Sequence, residues 1–76
     1  MIKVPRVTGK KLVAVLKKAG FIQIRKKGSH CFLKHPDGRC TVVPVHSGEI
    51  IGVGLLCQIL AASEIEADDL AELLRQ

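Results

Sequence analysis

The sequence predicts an α+β fold in the order α-β-β-β-α, with a three-stranded antiparallel sheet, helices on one face of it and a short extra C-terminal helix. Three observations predict it. Apolar residues at helical spacing (Leu12, Val13, Leu16, Ala19) precede three short runs of strand-forming residues. Two glycine-containing breaks, Lys27-Gly28 and Pro36-Asp37-Gly38, separate those runs. An almost entirely apolar stretch over residues 55–62 then supplies a helix to pack across the sheet. The 76 residues have room for one domain, residues 1–76, and one small core, so a large cleft is not expected.

Taken in order, the leader to Val7 contains Pro5 and reads as extended. Thr8 reads as the N-cap of the first helix, its hydroxyl placed to accept from a free N–H of the first turn. Gly20 stands where a helix ends in the left-handed conformation. Lys10, Lys11, Lys17 and Lys18 cover the outer face of this helix. Residues 21–26 form the first strand, with Ile22 and Ile24 alternating against Gln23 and Arg25. The second strand, residues 29–35, carries Cys31, Leu33 and His35 on one face and His30, Phe32 and Lys34 on the other. Phe32 and Leu33 both favour burial, so alternation leaves open which face meets the core. Residues 39–43 are the third strand. Pro44 and His46-Ser47-Gly48 end the sheet, and the segment to Gly54 holds too many glycines for a helix. Residues 55–62 are expected as a buried helix, and residues 66–75 as a last helix with an acidic start and Leu70, Leu73 and Leu74 on one stripe.

Composition narrows the function. No apolar run approaches the roughly 18 residues that span a membrane. The basic N-terminal residues lack the apolar run of a secretory signal, so a soluble cytoplasmic protein is expected. Cys31, Cys40 and Cys57 are an odd set without CxxC spacing, expected as small buried hydrophobes in a reducing compartment. The closely spaced ligand pairs of a structural zinc site are missing, so neither a metal nor another cofactor is expected. Charge is strongly polarised: residues 1–46 carry eleven Lys or Arg against Asp37 alone (+10), and residues 47–76 carry Arg75 against six acids (−5). A basic half of this density attracts a polyanion, most commonly the phosphates of RNA or DNA. With only Phe21 and Phe32 as aromatics, a single-strand binder built on stacking platforms is not favoured.

Lys26-Lys27-Gly28-Ser29-His30 has two readings. It is a hairpin turn whose glycine permits positive φ. It is also a place where cations and the backbone N–H groups around Gly28 can hold a phosphate, while an imidazole moves a proton beside it. Strand alternation sets Lys26 apart from Arg25 and Lys27, which favours Lys27 as the phosphate contact unless the turn twists. Ser29 either donates a hydrogen bond or shapes the turn, and shaping is the commoner role. His35 and Asp37 read as structural residues of the second turn; His46, past Pro44, is the better candidate for an RNA-positioning role.

Five segments in order resemble one known family. They are the helix ending in Gly20-Phe21, then Lys27-Gly28-Ser29-His30, His35-Pro36-Asp37-Gly38-Arg39, Val43-Pro44-Val45-His46-Ser47-Gly48, and Gly54-x-Leu56-x-x-Ile59-Leu60. Together they resemble the HicA toxins of toxin-antitoxin systems, from about Thr8 to Leu74. The resemblance implies a fold similar to the double-stranded-RNA-binding domain and a metal-independent endoribonuclease acting on mRNA. It implies His30 as the catalytic residue; the chemistry of the residues around it adds Lys26, Lys27, Gly28, Ser29 and His46 as the expected RNA contacts. It also implies neutralisation by a HicB-type antitoxin. Where the family commonly has a Thr and a basic residue at the start of the second helix, this chain has Leu55 and Cys57. The alternative function is a non-catalytic module that grips duplex RNA by shape.

Overall fold

The computed structural model describes residues 5–75, so residues 1–4 of the expected leader lie outside the described part. Six elements follow: α1 (Gly9–Lys18), β1 (Ile22–Lys27), β2 (His30–Lys34), β3 (Cys40–Pro44), α2 (Val53–Ser63) and α3 (Ala67–Arg75). The strands form one antiparallel sheet in the order β1-β2-β3. This is the expected α+β arrangement. None of the described helices is long and apolar enough to cross a membrane.

The punctuation of α1 follows its sequence. Thr8 Oγ1 accepts from the Lys11 N–H at 3.3 Å. At the other end, the Phe21 N–H donates to the Leu16 carbonyl and the Gly20 N–H to the Lys17 carbonyl, with Gly20 at φ +103°. That paired closure satisfies the last carbonyls and drops Phe21 into the core, where it is 2% exposed. The core lies between the sheet and the helices: Leu12 and Leu16 of α1, Leu33 and Val43 of the sheet, Leu56 of α2 and Leu70 of α3 are almost fully buried. Burial of Cys31, Leu33, Thr41 and Val43 identifies the sheet face that meets the helices.

Several expectations need correction. β1 is exposed at every position, Ile22 and Ile24 included, because it is an edge strand that the helices scarcely cover. Its alternation is broken by a bulge: Gln23 pairs with Leu33 and Arg25 with Phe32, leaving Ile24 as the extra residue. Helix α2 starts at Val53 and includes Gly54, since the packing of Leu56, Ile59 and Leu60 outweighs glycine's poor propensity. It buries one stripe only; Val53 and Leu55 are exposed because among the described residues nothing packs on its outer side. Of the cysteines only Cys31 is buried. Cys40 lies on the sheet face away from the helices, and Cys57 lies on the uncovered side of α2.

The segment after β3 is tied back to α1. The Ile51 N–H donates to the Val7 carbonyl at 2.9 Å, and Thr8 bridges to Ile50. The two strands of chain approach so closely at Gly9 that an added Cβ would stand 2.2 Å from the Pro44 carbonyl oxygen. Gly9→Ala is therefore expected to destabilise the fold by about 1–3 kcal/mol through overpacking, although alanine is the better helix former. Denaturant midpoints of the two proteins check this.

Candidate active site

The turn between β1 and β2 contains two residues, Gly28 and Ser29, and the flanking Lys27 and His30 are cross-strand partners. Positive φ falls on Gly28 alone (+57°), the first central position, which is the pattern of the type II′ turn that suits the twist of a hairpin. Nothing lies within 4 Å of where a Gly28 Cβ would stand, so the outside of the turn is open to a ligand. The Ser29 carbonyl accepts from the Val45 N–H at 2.6 Å, which fastens the turn to the chain leaving β3. This contact is made by the Ser29 backbone and does not involve its hydroxyl.

Alternation then decides which side chains share a face. Cys31 and Leu33 point into the core, so His30, Phe32 and Lys34 point away from the helices. The strand pairings extend this open face into three rows: Lys27, His30 and Pro44; Arg25, Phe32 and Val42; Ile22, Lys34 and Cys40. Directly paired residues have Cβ atoms about 4.5–5.5 Å apart, so Lys27 and His30 emerge side by side. Both are exposed. No row contains an acid, and among the described residues neither Lys27 nor His30 forms an ion pair.

The other sequence candidates fall in different places. Lys26 pairs with Cys31 and takes the helix side, where it lines an open groove with Lys10, Lys17 and Gln23. It therefore does not share a face with His30. The bulge at Ile24 puts Arg25 on the His30 face, and its guanidinium carbon lies 5.5 Å from the centre of the Phe32 ring. His46 is exposed just beyond β3, and the Glu49 N–H donates to its carbonyl at 3.1 Å. It lines a small cavity of about 80 Å³ with Pro44, Glu49, Ile51 and Leu55. Pro44 is itself the partner of His30, so His46 borders the same end of the sheet. The apolar side chain of Leu55 stands at this cavity. Among the described residues, no three His, Cys, Asp or Glu side chains gather as metal ligands do.

The second turn is a structural joint at the far end of the strands. The Arg39 N–H and Nε–H donate to the Asp37 carboxylate at 3.0 and 2.8 Å, and Arg39 Nη1 donates to the Ser63 carbonyl at 2.5 Å. The guanidinium also lies 5.2 Å over the Phe21 ring, which meets His35 edge-on at 5.2 Å. His35 Nδ1 accepts from the Asp37 N–H at 3.2 Å, and its ring fills the space beside Gly20. Arg39 is the residue sequence reading overlooked. It spans 24 positions to clamp the end of α2, and no local pattern announces such a contact.

Asp37 is held below the ordinary carboxylate value of 3.8, first by the Arg39 N–H and then, against some desolvation, by the Arg39 side chain and charge. A depressed folded value means that this stabilisation is present above pH 3.8 and is lost as pH falls through the lower folded value. Thermal unfolding of Asp37→Asn is expected to be less pH-dependent below pH 4 than that of the parent. Arg39→Ala is expected to cost about 1–3 kcal/mol at neutral pH, measured by denaturant unfolding.

No curated protein matches the chain. The family model for the HicA toxin of bacterial toxin-antitoxin systems matches residues 9–65, a span that runs from the start of α1 past the end of α2 and takes in both turns. A toxin of such a system implies an antitoxin partner. With both turns, the open sheet face and the helices that support it inside the match, the chain belongs to the HicA toxin family.

Proposed function

We propose that the chain is an mRNA-cleaving endoribonuclease that needs no metal, with His30 as its catalytic residue. The observation that carries the reading is the side-by-side emergence of His30 and Lys27 on a sheet face whose strand rows hold no acid, next to the open turn at Gly28. RNA contains its own nucleophile. The 2′-hydroxyl loses a proton, its oxygen bonds to phosphorus, the bond to the 5′-oxygen breaks, and that oxygen takes up a proton. The products are a 2′,3′-cyclic phosphate and a 5′-hydroxyl. His30 carries out one of the two proton transfers, either removing the first proton or delivering the last. The Lys27 ammonium and the N–H groups of the Gly28 turn neutralise charge on the non-bridging oxygens. His46 holds the strand at the Pro44 end, while Lys26 meets RNA from the helix side.

The partner that silences this site is a HicB-type antitoxin covering the open face. A duplex-gripping module without catalysis is the competing reading, and the two differ in one measurement. With EDTA present, the parent is expected to cut a single-stranded mRNA fragment. His30→Ala should lower the rate by about 10²- to 10⁴-fold while keeping its fold and most of its RNA affinity. Lys27→Ala should lose about 10²-fold in rate, whereas Lys26→Ala should alter binding and its salt dependence more than turnover. Cleavage by His30→Ala at the parent rate would remove the mechanism. Absence of cleavage by both proteins, with duplex RNA bound, would leave the binding module.

A further inference from the structure

We propose that Phe32 and Arg25 form a seat for one nucleobase beside the scissile phosphate, so that the substrate is a single strand with an unstacked base at that position. The proposal rests on the reading of His30 given above and adds the form of RNA it accepts. Phe32 follows His30 by two residues on the same face of β2, placing the two side chains about 6.6 Å apart along the strand. A phosphate at His30 therefore has its neighbouring base within reach of Phe32. The ring is half-buried, so it is held in place, and Arg25 covers it from the paired position on β1. Arginine guanidinium planes and aromatic rings are the two surfaces on which proteins stack single-stranded bases. Arg25 is exposed and can lift away to cap an incoming base.

Beside Phe32 lies a shallow cavity of about 380 Å³, bordered by Ile24, Val42, Cys40 and Lys34. Its floor is apolar and Lys34 stands at its rim, while Arg25 and Lys27 lie on the same sheet face, whose strand rows hold no acid. That combination fits a flat apolar base joined to phosphates. A base within an A-form duplex is stacked on both sides and its deep groove admits no side chains, so a duplex cannot occupy the seat. The scarcity of aromatics speaks against a platform of several bases; a single base needs only one ring.

The test uses the complete chain carrying His30→Ala, which removes turnover, and a short single-stranded RNA with 2-aminopurine placed at each position in turn. At one position binding is expected to quench the fluorophore, and adding Phe32→Leu should remove the quenching. Phe32→Leu should also weaken binding by about 5- to 150-fold. That loss should vanish on an RNA with an abasic residue at the quenched position. In the protein that keeps His30, Phe32→Leu should slow cleavage of the single strand, and the single strand should be cut faster than the same sequence in a duplex. Equal binding of intact and abasic RNA by the parent and Phe32→Leu forms overturns the seat, as does equal cleavage of duplex and single strand. A change confined to self-association, with RNA binding untouched, likewise overturns it and gives the face to a protein contact. Cleavage retained in His30→Ala sinks the reading of the preceding subsection while leaving the base-stacking measurement intact.

Discussion

Cys31 and Leu33 lie in the core beneath the helices, and this anchoring of β2 is the constraint from which the rest of the molecule follows. Because strand side chains alternate, burial of these two forces His30, Phe32 and Lys34 to the opposite face. The pairings with β1 and β3 then carry Lys27, Arg25, Val42 and Pro44 to that same face. A slip of one residue would bury the histidine and expose Leu33, so the hydrophobic term that stabilises the sheet also fixes its register. The surface chemistry is thereby set from within, by residues that never meet a ligand.

The two ends of the sheet divide the work. At one end the tight turn at Gly28 and the exit of β3 present a histidine, a lysine and an open backbone. At the other, Arg39 gathers Asp37, Phe21 and the Ser63 carbonyl into a clamp that holds the end of α2 against the sheet. Gly9 serves the first end in another way, by letting α1 approach the carbonyl of Pro44 and so supporting the strand opposite His30. Sequence motifs that look alike in their glycines and histidines thus serve unlike purposes.

Much of this was legible from the sequence. The caps of α1, the two turns and the order of elements depend on local chemistry, and Thr8, Gly20, Gly28 and Gly38 state them directly. The choice of buried face on β2 was not legible, since Phe32 and Leu33 are both apolar and only the helix layer distinguishes them. Nor was the bulge at Ile24, because a register shift is a property of a strand pair. Without it, Gln23 and Arg25 would share a face. Cys40 and Cys57 were misjudged for a related reason: a residue type predicts average burial, while exposure depends on which neighbours the fold supplies. The pairing of Lys27 with His30 was implicit in a two-residue turn, but the separation of Lys26 from them carries weight only once the helix side is known.

The bare edge at β1 has a consequence for handling the protein. An edge strand with exposed Ile22 and Ile24 is a template for strand addition by another chain, and Arg25, Lys26 and Lys27 are its only like-charged guard within the strand. Those three cations also act to keep free molecules apart from one another. Removing those charges therefore favours association along the β1 edge, and the colloidal behaviour of the protein is tied to the cations of this one strand.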